Sequence, residues 1–207
     1  MRFAGIHDSW QMSINADVTT PVFALWLRDI EAIEVPRSPL VPGPLDMGDL
    51  PPPLGGAHDP RLGAEWLTWW ISLVDRGARP PLQPPDDHAE PAHDTPDPLG
   101  LARLPVLRGD VTRRWTEFLH WRTAYHRAHG TFANRRPIGD LRDNDTVRDV
   151  EAALGRKAAP FNLTFTLLPV RDDRILQVGP AHYLVPERVY LGTGWQAWLR
   201  AVVERVA

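Results

Sequence analysis

Arg122, His126 and His129 fall within two turns of one segment and, at helical spacing, on the same side as Trp115 and Tyr125. A guanidinium and two imidazoles directed toward an apolar surface must find partners or water, because burying them unpaired costs several kcal/mol. Held together, they would take an anion, so this trio is the candidate anion-binding site, with His182 or Tyr183 completing a pocket around it. The competing reading lets the last two turns of the helix overhang the core and leaves the three groups solvated or tied up structurally.

Weaker constellations reduce to ordinary structure. Glu117 and His120 have the E-x-x-H spacing of di-iron bundles, but no second pair exists and both project from the side opposite Val111 and Phe118. His88, Glu90, His93 and Asp94 carry metal-binding donors in a Pro-rich acidic stretch that offers no scaffold to fix their geometry. Gly192 to Ala197 has the form G-x-G-x-x-A, yet a dinucleotide site needs a further strand and an acidic residue about 20 positions on, and the sequence stops at Ala207. Those glycines read as a strand-to-helix turn. None of the four serines sits in a nucleophile elbow, and there is no P-loop. No catalytic residue, metal or cofactor is assigned.

Aromatic content points elsewhere. Nine tryptophans are far above the usual share, and Trp66, Trp69 and Trp70 spread around one helix flanked by Pro-rich segments. That helix is apolar over more of its circumference than one sheet contact buries, so at least one of the three is expected to be exposed and to bind a partner or a second copy of the chain.

The elements that would carry these residues follow from periodicity. Trp10, Met12, Ile14, Ala16 and Val18 alternate with polar residues as in a half-buried strand. Residues 22–35 fit both helix and strand, with Thr20-Pro21 favouring helix. Helices are expected over 60–76, 110–129 and 146–155, the last opened by a Thr146/Asp149 capping box. Leu163, Phe165 and Leu167 alternate with Thr164 and Thr166. Arg171 to Arg174 then reads as a hairpin turn into Ile175 to Val178, and His182 to Val185 and Val189 to Leu191 extend a meander. A final helix is capped by Thr193 and carries Trp195, Trp198, Leu199, Val202 and Val206. Segments 36–60 and 80–105 hold 16 of the 22 prolines and are expected as long loops, with 80–100 mobile.

The fold expectation is therefore a single α+β domain over 1–207: a small antiparallel sheet, built from the N-terminal strand and the C-terminal meander, covered by three to four helices. A net charge of −3 argues against a dedicated nucleic-acid protein, although residues 108–157 carry eleven basic against seven acidic residues. The absence of cysteine removes disulfides and thiolate chemistry. No signal segment or membrane span is visible, so a cytoplasmic chain is expected. The function expected is a non-enzymatic protein-binding or accessory component. The alternatives are an enzyme or sensor taking a small anionic ligand at the Arg/His trio, and nucleic-acid binding through 108–157.

Overall fold

Alternation does produce a strand at Trp10–Asn15 (β2), whose Trp10, Met12 and Ile14 are buried while Gln11 and Ser13 are half-buried and Asn15 is exposed. The computed structural model describes residues 2–3, 10–46, 48, 59–77, 101–135 and 141–207. Within them the chain runs β1 (Arg2–Phe3), β2, α1 (Thr19–Ile30), α2 (Leu62–Gly77), α3 (Pro105–His129), α4 (Phe132–Arg135) and α5 (Arg142–Leu154). It continues through β3 (Phe161–Leu168), β4 (Leu176–Gly179), β5 (His182–Pro186), α6 (Glu187–Leu191) and α7 (Trp195–Val206). This is an α+β fold. The segment 80–100, expected to be mobile, lies outside the described residues, as does the His88 to Asp94 cluster.

The sheet has strand order β1-β2-β3-β5-β4. It is mostly parallel, and this corrects the expectation of an antiparallel meander. β2 runs parallel to β3, with Trp10 opposite Phe161 and Asn15 opposite Thr166, and β3 runs parallel to β5, with Thr164 opposite His182. Only the edge pairs β1–β2 and β4–β5 are antiparallel. The reason lies in residues 170–174, which do not turn tightly. Val170 bridges Leu45, the Arg171 amide donates to the Pro44 carbonyl at 2.8 Å, and the Asp172 carboxylate accepts the Gly43 amide at 3.1 Å. Held by that segment, the chain passes to the far edge and makes its hairpin later, at Gly179 to Ala181, so that β5 returns between β3 and β4. Val189 to Leu191, expected as extended, belongs to the short α6.

Helices pack on both faces, on one of them over only part of its area. Met12, Ile14, Leu163, Phe165, Tyr183 and Val185 meet α5 and α7 through Val147, Val150, Trp195, Leu199 and Val202. On the other face Leu168, Val170, Leu176 and Leu184 meet α1, α2 and α3. Central strands buried on both sides lose the clean alternation of a one-sided sheet, and β5 is buried at every position. α1 settles the ambiguity at 22–35 in favour of helix; Val22 through Arg28 are all buried because strands, α2 and α3 enclose it.

Helix starts differ from sequence cues where distant groups supply the cap. α3 begins at Pro105, inside the expected loop: proline needs no amide partner at a first turn, and the Glu65 carboxylate from α2 accepts the Val106 and Leu107 amides, both at 3.0 Å. α5 begins at Arg142, so Thr146 is no cap; its hydroxyl donates to the Arg142 carbonyl inside the helix. Thr193 does not cap α7, whose N-cap is Gly194. α2 approaches the chain after α1 so closely that a Cβ at Gly63 would collide with the Glu34 carbonyl oxygen. Among the described residues no helix is long and apolar enough to cross a membrane.

Candidate functional site

Residues in register across β2, β3 and β5 share a face with every second neighbour, so the pairing itself sorts polar from apolar positions. One face carries Met12, Ile14, Leu163, Phe165 and Tyr183, all buried. The opposite face carries Ser13, Thr164 and His182 in one row straight across the three strands. Gln11 and Asn162 lie on one side of that row, and Asn15, Thr166 and Leu184 on the other. Only from Leu184 and Leu168 onward does this face become apolar and meet α1 to α3. The polar half grades from exposed Asn15 and Asn162, through half-buried Ser13 and Thr164, to Thr166 and His182, which are buried.

His182 ends this row on β5 and is its most buried member. It is 2% exposed, its Nε2 lies 2.8 Å from Thr166 Oγ1, and its Nδ1 has no hydrogen-bond partner among the described residues. Burial pushes the imidazole pKa down to about 4, so the ring is neutral near pH 7. A threonine hydroxyl can donate or accept, so Nδ1 presents either a lone pair or an N–H depending on which tautomer that hydroxyl selects.

The predicted anion site converges only in part, and on an anion of the protein itself. β2 leads into Asp17, which has a positive φ of 57°. Arg122 donates to the Thr19 hydroxyl at 2.6 Å and to the Asp17 carbonyl, while His126 Nε2 stands 3.7 Å from Asp17 Oδ1. The same carboxylate accepts the Phe132 amide, at 3.3 and 3.2 Å for its two oxygens. His129 is exposed. It stacks on Tyr125 at 4.5 Å and its Nδ1 lies 3.1 Å from the Tyr125 carbonyl oxygen, one turn back on the same helix. Arg122 and His126 thus join α3 to the start of α1. Tyr183, suggested as a pocket member, points into the opposite core beside Phe165 and Trp198.

The expectation that one of Trp66, Trp69 and Trp70 is exposed is overturned: they are 0%, 5% and 0% exposed. α2 is covered on three sides, by α1, by α3 and by the chain around Leu40, which accounts for its broad apolar surface. Trp66 Nε1 donates to the Ala24 carbonyl at 2.7 Å, Trp70 Nε1 to the Leu40 carbonyl at 2.8 Å, and the two rings stack at 5.6 Å. Burial removes the premise on which these three were assigned to a partner surface.

Buried charges elsewhere serve the scaffold. Glu31 accepts Arg114 Nε at 2.6 Å, and Arg114 also reaches Glu117 at 2.7 Å, so Glu117 holds an arginine while His120 is exposed. Arg28 donates to the Pro42 and Gly43 carbonyls at 2.8 and 2.9 Å and pairs with Asp29, which accepts the Leu45 amide at 2.7 Å. Asp143 accepts both the Tyr190 hydroxyl and the Trp195 indole N–H at 2.7 Å. Trp195, the middle of the G-x-G-x-x-A stretch, is therefore core, and Gly192 turns helix into helix. Among the described residues no group of acids and histidines is placed to hold a metal ion.

Sequence reasoning missed the row Ser13, Thr164 and His182 as a unit. The signal was the run of polar partners in two alternating strands, but which residues stand side by side follows only from register. No family model, curated protein or solved structure matches this chain.

Proposed function

We propose that the chain is a non-enzymatic binding protein that takes a small polar ligand on the sheet face formed by Ser13, Asn15, Thr164, Thr166 and His182. The observation that carries this reading is the His182 Nδ1, buried and without a partner among the described residues at the β5 end of the row that runs through Thr164 to Ser13. Leaving such an atom unpaired costs about 1–3 kcal/mol, which a ligand group that reaches it by a local opening of the face would recover. Binding is favoured over catalysis by the same residue. A general base works best with a pKa near the operating pH, and an imidazole held near 4 is a poor proton acceptor but a sound hydrogen-bonding partner.

A small ligand is favoured over a protein partner by what the surface offers. The large apolar side chains exposed among the described residues, Ile71, Leu119, Leu141, Leu154, Leu191 and Val206, are distributed over five helices and their flanks. Single exposed apolar residues are ordinary; a docking face needs them contiguous.

The test is native mass spectrometry after equilibration with a deproteinised low-molecular-weight cell extract. Wild type should retain a discrete mass increment, and the Ser13→Ala/Thr164→Val double variant should lose it while melting as wild type does. Failure of wild type to retain any small molecule would remove the binding reading.

A further inference from the structure

The row that crosses this face begins one strand before Ser13. β1 pairs with β2 so that Arg2 stands opposite Ser13, and partners in register share a face, so the order across four strands is Arg2, Ser13, Thr164 and His182. We infer that the ligand of this face is a small hydroxylated oxyanion, a carboxylate or a phosphate, with its charged group at the β1 end of the row and its hydroxyl groups over β2 and β3; this rests on the binding reading above.

Charge sets the orientation. Arginine keeps its proton at any working pH, and its fork of N–H donors matches two oxygens of a carboxylate or phosphate. The other end of the row is a buried imidazole that is neutral near pH 7. An oxyanion carried to that end would be stripped of water beside an uncharged ring, whereas at the β1 end it meets the position of a fixed cation. Asp17, the first acid after β2, is held within the protein by the Phe132 amide and lies 3.7 Å from His126.

Burial runs the same way. From β2 to β5 the rows pass from half-buried Ser13 and exposed Asn15, through Thr164 and Thr166, to buried His182 and Leu184. A charged group near β1 and β2 therefore keeps part of its hydration, and the part of the ligand that lies toward β5 must be uncharged.

Hydrogen bonding and length define the remainder. Each hydroxyl of Ser13 and Thr164 donates once and accepts twice, so each can donate to an oxyanion oxygen or accept from a ligand hydroxyl. A ligand of oxyanion groups alone would leave the accepting capacity unused. Neighbouring strands lie about 4.8 Å apart, which puts about 10 Å between the positions of Arg2 and Thr164, the reach of an open chain of about six carbons.

The experiment follows the Ser13 and Thr164 amides of the 15N-labelled full chain during titration to about 20 mM with four compounds of one skeleton: gluconate, sorbitol 6-phosphate, neutral sorbitol and cationic glucamine. At least one of the two oxyanions should bind about tenfold or more tightly than sorbitol and glucamine. Arg2→Gln should remove that preference while melting as wild type does, and Arg2→Lys, which keeps the charge, should retain it. The tighter of the two oxyanions identifies the group as carboxylate or phosphate. Equal or tighter binding of sorbitol or glucamine, or a preference that survives Arg2→Gln, would overturn the oxyanion assignment and leave the binding reading standing. Silence from the whole panel, with a mass increment retained from the extract, would overturn this assignment alone. Silence in both would remove the two together.

Discussion

Replacing His182 by glutamine should flatten the dependence of stability on pH between about 4.5 and 7.5, because the buried imidazole titrates well below its unfolded value. In the unfolded chain the ring takes a proton near pH 6.5, whereas in the folded protein burial holds it at about 4. Between those values the unfolded state binds the extra proton, so stability is present above pH 6.5 and is lost as pH falls toward 4. Linkage puts the loss at about 2.5 kcal/mol between pH 7.5 and 4.5 for a shift of this size. Local opening that lets water reach the ring would reduce it to about 2 kcal/mol. Glutamine keeps a hydrogen-bonding group near Thr166 and cannot take the proton. The carboxylate of Asp172, held down to about 2 chiefly by the Arg174 hydrogen bond, loses its stabilising effect only below its unfolded value near 3.8 and so stays outside the window. Urea unfolding followed by tryptophan fluorescence, with nine indoles as reporters, measures the difference directly. Parallel pH profiles for wild type and His182→Gln would show that the folded imidazole protonates as freely as the unfolded one, and the sealed environment assigned to it would be wrong.

Trp66→Ala should destabilise by about 3–5 kcal/mol, read as a lower urea midpoint at unchanged slope, because it empties a fully buried indole site between α1 and α2. A surface role would leave the midpoint where it was. Asp143→Ala strips the acceptor from two buried donors, Tyr190 Oη and Trp195 Nε1, and should cost about 2–5 kcal/mol, with Asp143→Asn costing less since one acceptor oxygen remains. Equal stability of the alanine variant and wild type would mean that those donors find water instead.

What the sequence makes legible is whatever is decided within one element. The strand at Trp10–Asn15 and the helices α2 and α7 follow from period, and the shared inward side of Arg122 and His126 follows from helical spacing. What it conceals is decided by partners far along the chain. Arg122 is satisfied by Asp17, 105 residues away, and α3 is capped by Glu65, about 40 residues before it. Strand direction is hidden for the same reason. Arg171 to Arg174 has the composition of a hairpin turn, but residues 43–45 claim its hydrogen bonds, and the strand that leaves it must go to the sheet edge. Trp66, Trp69 and Trp70 look like a partner surface in the sequence because a helix's breadth of apolar surface counts its neighbours without naming them. Three neighbours bury what one sheet would leave exposed.

Three buried side chains carry a nitrogen without a partner in this fold among the described residues and outside Arg142: Trp10, Trp26 and His182. They do not mean the same thing. An indole buries about 150–250 Å² of mostly apolar surface, which at about 25 cal/mol per Å² contributes roughly 4–6 kcal/mol and outweighs one unsatisfied N–H costing about 1–3 kcal/mol. Trp26 packs against Phe23, Phe118 and Trp121 and Trp10 against Phe161, so each ring has that apolar return. An imidazole is smaller and more polar and has little such surface to offset the same loss, while its burial adds a further cost below pH 6.5 through the displaced pKa. On stability alone, leucine would serve better at position 182, continuing the apolar surface begun by Leu184. His182 stands beside the Thr164 and Thr166 hydroxyls rather than in an aromatic cluster, and that neighbourhood directs the functional assignment to the sheet face rather than to the aromatic core.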